Sequence, residues 1–158
     1  MSEPQRGSDI RPTGLQDLYR ELILDHSKHP HGRHLVDGAI AQSHQVNPTC
    51  GDEVTLQLQP GIDGRIREIT WEGHGCSISQ ASASILASVV DDDTPAHLSE
   101  RIESFRIMMH SRGQLEGDED LLGDAVVFQG ASRYVARVKC AMLPWVAAEA
   151  ALRTLPTR

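Results

Sequence analysis

The first repeating hydrophobic pattern in the chain has the spacing of an α-helix. Between residues 14 and 27, apolar side chains recur three and four positions apart, on one side of a helical wheel: Leu15, Leu18, Tyr19, Leu22 and Ile23. This spacing predicts an amphipathic helix that packs one face against the rest of the domain. Residues 28–38, which include Pro30 and two glycines, are predicted to form the loop that follows.

A strict alternation of apolar and polar residues marks the middle of the chain. Residues 54–59 place every second side chain on an apolar face, formed by Val54, Leu56 and Leu58. This predicts a β-strand with one buried face and one face in water. Turn residues at 60–64 and a second strand at 65–72 predict an antiparallel hairpin, and residues 39–46 are predicted to form an earlier strand.

The segments that follow are predicted to be mostly helical. Ser77 and Gln80 have the spacing of a capping box, which predicts a helix over residues 77–90 with Ser77 as its N-cap. Residues 94–111 are predicted to form a second helix. Residues 111–130 are polar and rich in glycine.

Two further features are expected in the last third of the chain. A short helix is predicted at residues 118–122. Residues 131–155 have a helical composition, but Pro144 interrupts them. Because proline is tolerated only in the first turn of a helix, we expect a break near Lys139 and Cys140.

The length and charge of the chain restrict its class. Its 158 residues suit one domain, which we place at residues 15–155, after a polar leader at residues 1–14 that is expected to be disordered. No apolar run approaches the length of a membrane span, so we expect no membrane partner. The net charge of -7 argues against a nucleic-acid partner, which usually faces a basic surface.

The cysteine count favours metal or thiol chemistry over a disulfide framework. There are three cysteines, an odd number, and the N-terminus has no apolar segment typical of a secretory signal. We therefore expect a reducing, cytoplasmic location. Each cysteine also lies at a predicted boundary between elements: Cys50 before a strand, Cys76 before a helix, and Cys140 at the expected break.

Each cysteine taken alone has an ordinary structural interpretation. Cys50 and Asp52 would point to the same side of an extended segment, yet the triplet with Gly51 is equally a simple turn. Cys76 precedes a helix N-terminus, which lowers the pKa of a thiol, or is a plain loop residue. Cys140 follows two cations, or simply packs in a helix.

As a set, the three cysteines and one carboxylate form a candidate metal site. Zinc accepts sulfur and oxygen ligands and prefers four of them in a tetrahedron. The spacing is not a compact zinc-finger pattern, so the residues alone make the site plausible and leave the structural interpretation open. The histidines at positions 26, 29, 31 and 34, and His74, are interpreted as helix-end and loop residues.

Three motifs resemble the IscU-like family of iron–sulfur cluster assembly proteins, which is also described as NifU N-terminal-like. The motifs are residues 47–54 (Asn-Pro-Thr-Cys-Gly-Asp-Glu-Val), 73–79 (Gly-His-Gly-Cys-Ser-Ile-Ser) and 137–141 (Arg-Val-Lys-Cys-Ala). They occur in the family's order, and residues 18–26 are similar to its opening helix. The resemblance covers residues 15–152.

The details resemble the SufU-type branch of this family. Scaffold-type members carry histidine immediately before the third cysteine, whereas this chain has Lys139. SufU-type members also have an insertion before the third cysteine motif, which residues 111–130 resemble. The segment by which scaffold-type members contact a chaperone is missing, and residues 134–138 occupy its place.

The resemblance implies an α+β fold with a small three-stranded antiparallel sheet packed with helices. It implies a Zn²⁺ site formed by Cys50, Asp52, Cys76 and Cys140. It also implies a zinc-dependent sulfurtransferase that accepts persulfide sulfur from a pyridoxal-phosphate cysteine desulfurase of the SufS type and supplies downstream cluster assembly proteins. We expect a monomer, with Cys50 as the acceptor thiol. Because a free thiolate is a better nucleophile than a metal-bound one, Cys50 is expected to be the ligand that leaves.

Two alternatives stay open at this stage. The same residues could hold iron or a [2Fe–2S] cluster, with Asp52 as the fourth ligand, which would make the protein a scaffold that builds and passes on a cluster. Lys139 argues against this, since the histidine that could serve as another ligand is absent. Alternatively, zinc could serve only to stabilise the fold of a binding module.

Overall fold

The fold is α+β, as expected, and contains one three-stranded sheet. In a computed structural model of the chain, residues 6–155 are described, with their side chains from residue 15 onward. The helices and strands follow the order α1 Arg6–Lys28, β1 Ala41–Asn47, β2 Asp52–Pro60, β3 Ile66–His74, α2 Ser77–Val89, α3 Pro95–Met109, α4 Glu119–Leu122 and α5 Val135–Arg153.

The sheet is an antiparallel meander in the order β1-β2-β3. Asn47 pairs with Asp52 across β1 and β2, and Glu53 pairs with His74 across β2 and β3. The β1–β2 turn and the end of β3 therefore lie at the same end of the sheet.

The helices cover one face of this sheet. Helix α5 lies across β1 and β2, α2 lies against β3, and α1 and α3 pack on those two helices. In the core, the Phe105 ring stacks on Trp145 at a centroid distance of 4.1 Å and meets the edge of Phe128 at 6.1 Å. Such aromatic pairs contribute about 0.5–1.5 kcal/mol beyond the burial of their area. Within residues 6–155, no helix is long and apolar enough to cross a membrane.

The outer face of the sheet is less exposed to solvent than the alternation at residues 54–59 predicted. Gln57, Gln59 and Thr70 are buried and hydrogen-bonded to one another. The segment before β1 covers them, because the Val36 backbone N–H donates to Gln57 Oε1 and its carbonyl accepts from Gln57 Nε2. Each buried amide thus has partners that replace water.

Helix α1 starts earlier than the hydrophobic pattern indicated. It begins at Arg6 rather than residue 14, so the second part of the expected leader is helical. The first five residues of that leader lie outside the described part of the chain, and their expected disorder stays a prediction.

The predicted break in the last helix is wrong. Helix α5 is continuous from Val135 to Arg153 and includes Pro144. Pro144 has no N–H to donate to the Cys140 carbonyl, a defect that costs about 3 kcal/mol in a helix interior. Leu143, Pro144 and Trp145 are all buried, and this packing offsets the local defect.

The glycine-rich segment contributes side chains to the core. The short helix at residues 119–122 is present, close to the expected position. After it, 3₁₀ turns over Gly123–Arg133 bury a run of side chains from Ala125 to Phe128. The run packs against α3 and α5, so these side chains belong to the core.

Candidate metal centre

The candidate ligands converge from three parts of the sequence at one end of the sheet. Cys50 lies in the β1–β2 turn, and Asp52 is the first residue of β2. Cys76 follows β3 and is the N-cap of α2. Cys140 lies in the second turn of α5, which crosses above β1 and β2. The pairing of the strands therefore brings distant cysteines together.

Asn47 shapes the turn that presents Cys50. Its backbone carbonyl accepts hydrogen bonds from the N–H groups of Cys50, at 3.3 Å, and Gly51, at 2.8 Å. Its side-chain oxygen accepts from the Thr49 N–H at 3.2 Å. Gly51 has a φ of 77°, a conformation that glycine adopts without steric cost. These hydrogen bonds to Asn47 therefore define the turn that presents Cys50.

The donor atoms lie close enough to share one ion. One ligand atom each from Cys50, Asp52 and Cys140 lie within 4.8 Å of one another. The sulfurs of Cys50 and Cys140 are 3.8 Å apart. The Cys76 sulfur does not belong to this compact set, but it lies 3.4 Å from Asp52 Oδ2. All four predicted ligands therefore meet around the Asp52 carboxylate.

Asp52 is buried, with 2% of its surface exposed, and its carboxylate accepts hydrogen bonds. Burial alone would raise the pKa of its carboxyl group, but the backbone N–H and thiol of Cys76 donate to it, and the nearby thiols of Cys50 and Cys140 also lower its pKa. Together these neighbours outweigh the burial, and the pKa of Asp52 lies below its usual value. The carboxylate is ionised, and among the described residues no cationic side chain forms an ion pair with it.

Cys140 is the buried thiol of the group, while Cys50 and Cys76 are exposed. Burial raises the pKa of the Cys140 thiol well above its usual value, and the neighbouring Cys76, Asp52 and Cys50 groups raise that pKa further. Without a cation, the four groups cannot all be ionised. A divalent ion would remove this conflict, because it stabilises thiolates and carboxylates together.

Two glycines permit the close approach of β3 to β2 at the site. A Cβ on Gly75 would collide with the Asp52 carboxylate and would come within 2.8 Å of Ser79 Oγ. A Cβ on Gly73 would lie 2.9 Å from the Val54 Cα. Both positions therefore require glycine for this close approach.

The N-cap of α2 differs from the prediction. Cys76, rather than Ser77, is the N-cap, and its side chain makes no capping hydrogen bond. Its thiol instead points to Asp52, because the close approach at Gly75 turns the chain toward the β1–β2 turn. Ser79, which the sequence reasoning missed, donates to the Cys76 carbonyl at 3.1 Å. A serine three residues after a cysteine at a helix start is the signal that could have indicated it.

Cys140 does not lie at a boundary between elements, although the predicted helix break had placed it at one. It is a helix-interior residue, and only the convergence with Asp52 distinguishes it from an ordinary packed cysteine. The neighbouring cations Arg137 and Lys139 are exposed. The Arg137 guanidinium lies over the Tyr134 ring, 4.8 Å from its centroid.

His74 is not directed at the cysteines. Its Nε2 atom lies 2.9 Å from Glu53 Oε1, and His44 Nε2 lies 3.3 Å from Glu53 Oε2. The His74 side chain is 71% exposed, which agrees with its interpretation as a surface residue.

The donor set fits zinc by its chemistry. Three thiols and one carboxylate are the number and kind of ligands that zinc takes in four-coordinate sites. The ionised, buried Asp52 without a cationic partner is the specific observation that favours a bound cation here. The tetrad was expected from the sequence, and its role as the ligand set stays a proposal.

Comparison with known proteins gives a consistent result. Residues 18–141 match the family model of the NifU-like N-terminal domain. Over 140 residues, the chain is 39% identical to a Bacillus subtilis protein named zinc-dependent sulfurtransferase SufU, an alignment that covers 85% of this chain and 89% of the relative. It is 33% identical over 139 residues to a Streptococcus pyogenes protein named iron–sulfur cluster assembly scaffold protein IscU, covering 88% and 85% of the two chains.

A solved structure supports the same relationship. It comes from Fervidobacterium islandicum and is described as a candidate iron–sulfur cluster assembly scaffold protein for the SUF system. It is 36% identical in sequence, superposes with a TM-score of 0.73, and covers 84% of this chain and 94% of its own. The family resemblance drawn from the three motifs is confirmed.

Proposed function

The chain belongs to the NifU-like N-terminal domain family of iron–sulfur cluster assembly proteins, and from that premise we propose that it is a zinc-dependent sulfurtransferase. It accepts persulfide sulfur on Cys50 from a pyridoxal-phosphate cysteine desulfurase of the SufS type. The sulfur then passes to downstream cluster assembly proteins. The relative named a zinc-dependent sulfurtransferase supports this assignment.

One observation carries the proposal. Donor atoms of Cys50, Asp52 and Cys140 gather within 4.8 Å, and Cys76 approaches the same carboxylate. When bound, zinc would hold its cysteine ligands as thiolates at neutral pH. Cys50, Asp52, Cys76 and Cys140 are the residues that would hold it.

The four residues differ in how freely they can meet a partner protein. Asp52 and Cys140 are buried, so they are poorly placed to meet a group carried on another protein. Cys76 is exposed, but Asp52 engages both its backbone N–H, at 3.0 Å, and its thiol. Cys50 is exposed on a glycine-containing turn. These differences favour Cys50 as the acceptor.

The transfer step is a displacement at sulfur. The Cys50 thiolate attacks the outer sulfur of the persulfide on the desulfurase cysteine, and a new sulfur–sulfur bond forms on Cys50. The bond between the two partner sulfurs breaks, and the partner cysteine leaves as a thiolate. Cys50 then carries the persulfide, and no net oxidation or reduction occurs. Thiolate attack of this kind is the ordinary route of thiol–disulfide exchange.

Exposed cations beside the site would support the encounter. Arg133, Arg137 and Lys139 are exposed near the start of α5, in a chain with a net charge of -7. A local cluster of positive charge can steer an acidic partner surface and raise the association rate. We therefore expect the desulfurase to bind the surface around the start of α5.

The test is stimulation of a purified SufS-type desulfurase, measured as sulfide released from cysteine in the presence of a thiol reductant. We expect the wild-type chain to stimulate release and Cys50→Ala to abolish the stimulation. Cys76→Ala is the comparison variant, since it also removes one exposed ligand of the tetrad but leaves Cys50 in place. Zinc content and circular dichroism are measured for both variants.

The two variants separate acceptor loss from metal loss. A Cys76→Ala chain that retains zinc and takes up one sulfur in a single turnover, while a Cys50→Ala chain that retains zinc takes up none, supports the acceptor role of Cys50. A Cys50→Ala chain that folds and binds zinc but fails to transfer sulfur excludes a mere binding module whose zinc only stabilises the fold. Full stimulation by Cys50→Ala would show that the acceptor assignment is wrong.

A scaffold function is the second candidate, because the Streptococcus pyogenes relative is named a cluster assembly scaffold. In that case a [2Fe–2S] cluster would be the cargo of the same four residues. Anaerobic reconstitution followed by transfer to an apo-ferredoxin distinguishes the two functions. A stable cluster that transfers would favour the scaffold, whereas zinc retention without a transferable cluster favours sulfur transfer.

A further inference from the structure

Two sulfurs of the site lie close together, one on the exposed Cys50 and the other on the buried Cys140. The sulfurs of Cys50 and Cys140 are 3.8 Å apart. A disulfide needs them at about 2 Å, so they must move toward each other by roughly that amount. Both cysteines are free thiols in the structure.

The β1–β2 turn has room for this movement. A Cβ placed on Gly51 would meet no heavy atom within 4 Å, so the space around the turn is open. The backbone N–H groups of Cys50 and Gly51 bond only to the Asn47 carbonyl, within the turn itself. The turn can therefore shift toward α5 without breaking hydrogen bonds to other elements.

Cys76 is held in a different way. Its backbone N–H donates to Asp52 Oδ1 at 3.0 Å, and its sulfur lies 3.4 Å from Asp52 Oδ2. Its carbonyl also accepts from the Ser79 hydroxyl. A disulfide to Cys76 would have to break the contact between its thiol and the buried carboxylate.

From this geometry we propose that Cys50 and Cys140 are a disulfide site, which closes when the metal-free chain meets a peroxide and leaves Cys76 reduced. The disulfide would remove two of the four candidate ligands, one of them the acceptor thiol. It would also join the β1–β2 turn to α5. Oxidation would then block both metal loading and sulfur acceptance until a thiol reductant restores the pair.

The chemistry balances with the peroxide as the oxidant. The Cys50 thiolate attacks one peroxide oxygen, the oxygen–oxygen bond breaks, and Cys50 becomes a sulfenic acid as hydroxide leaves. The Cys140 sulfur then attacks the Cys50 sulfur, the sulfur–oxygen bond breaks, and a second hydroxide leaves. Two thiols lose two electrons in total, and hydrogen peroxide is reduced to two waters.

The sequence allows the pairing to be read directly. Trypsin places the three cysteines on three separate peptides, residues 34–65, 68–101 and 140–153. The metal-free chain is treated with hydrogen peroxide, free thiols are alkylated, and the digest is analysed by mass spectrometry without reduction. We expect a cross-link between peptides 34–65 and 140–153, with loss of two of the three alkylatable thiols. The peptide that contains Cys76 should remain alkylatable.

Two variants and one metal-loaded sample act as controls. Cys76→Ser should form the same cross-link, whereas Cys140→Ser should form none and should leave a Cys50 sulfenic acid that dimedone traps. Zinc-loaded wild type should form the cross-link more slowly, since both sulfurs are then occupied as ligands. A cross-link that involves the Cys76 peptide instead, or linkage between chains only, overturns the proposal.

The disulfide itself needs only the observed geometry, while its effect on sulfur acceptance rests on the proposed function. The two are distinguishable by their readouts. If the cross-link forms but the reduced, zinc-loaded chain never accepts sulfur, the disulfide stands and the proposed function fails. If the reduced chain accepts sulfur but peroxide produces no cross-link between Cys50 and Cys140, the disulfide inference fails.

Discussion

At the scale of single residues, Asp52 organises the site. It is the buried first residue of β2, it accepts from the backbone N–H and the thiol of Cys76, and the sulfurs of Cys50 and Cys140 lie nearby. An ionised carboxylate in that position attracts a cation and orients the sulfurs around it. The assembly of the site therefore depends on the Asp52 side chain and on Gly75, which leaves room for it.

The first prediction concerns the charge of Asp52. Asp52→Asn keeps the shape of the side chain but removes its negative charge. We expect zinc affinity to fall at least about tenfold, since even changes outside the ligand set cost 10–100-fold. Competition with a chromogenic chelator measures the affinity. Asp63→Asn, in an exposed turn, is the matched control and should bind zinc like wild type.

The second prediction concerns the close approach at Gly75. Gly75→Ala would push a methyl group into the Asp52 carboxylate and should abolish stoichiometric zinc binding. Gly38→Ala is the control, because Gly38 also has a positive φ, of 91°, but has open space around it. Both variants carry backbone strain, and only the first should lose metal. Equal metal content in the two purified variants would contradict this explanation.

At the scale of elements, two contacts fix how the helices pack. His26 on α1 is buried, and its Nδ1 atom lies 2.7 Å from the Ser84 hydroxyl on α2. The buried Ser82 hydroxyl accepts from Trp145 Nε1 at 3.0 Å and donates to the Ala141 carbonyl at 2.6 Å. Ser82 therefore joins α2 to α5 close to the proline, at the level where Cys140 enters the site.

The third prediction concerns pH. Burial lowers the pKa of His26 below its ordinary value of 6.5, and the charge of His31 lowers that pKa further, against the opposing effects of Asp124 and Asp25. As pH falls, His26 is therefore protonated in the unfolded chain at a higher pH than in the folded chain. The contribution of His26 to stability is complete above pH 6.5 and is lost as pH falls below it toward the folded pKa.

Urea unfolding at a series of pH values between about 8 and 5 measures this dependence. His26→Gln should remove the part of the stability loss that begins near pH 6.5. His29→Gln, an exposed histidine that follows the same helix, should keep the wild-type dependence. The explanation fails if the two variants have the same pH profile.

The fourth prediction concerns the hydroxyl that joins α2 to α5. Ser82→Ala leaves the Trp145 N–H without its acceptor and takes the side-chain donor from the Ala141 carbonyl. The free energy of unfolding should fall by about 1–3 kcal/mol, the cost of leaving a buried polar group unpaired. Ser88→Ala, exposed on the same helix, should change it by less than about 0.5 kcal/mol. Urea unfolding midpoints compare the two.

At the scale of the whole molecule, local sequence patterns predicted the helices and strands better than they predicted the contacts between them. The alternation at residues 54–59 and the helical spacing at residues 15–23 both correspond to observed elements. The motifs also identified the four candidate ligands, which the fold brings together. These features depend on residues that are neighbours in sequence, where periodicity is informative.

The features that the sequence did not reveal depend on tertiary packing. The burial of Gln57 and Gln59 requires the segment before β1 to cover the outer face. The continuity of α5 through Pro144 depends on its burial against the sheet and the other helices. Likewise, Cys140 enters the site only because α5 crosses β1 and β2. Sequence periodicity describes one element at a time and contains no such information.

The central claim is that Cys50 receives the sulfur, and the most direct measurement is the position of that sulfur after one turnover. The zinc-loaded chain is mixed, without reductant, with a SufS-type desulfurase whose cysteine carries a persulfide. The chain is then alkylated and digested with trypsin. We expect one added sulfur atom on the peptide of residues 34–65 and none on the peptides that contain Cys76 or Cys140. Sulfur found first on either of those two peptides, or on none of the three, would contradict it.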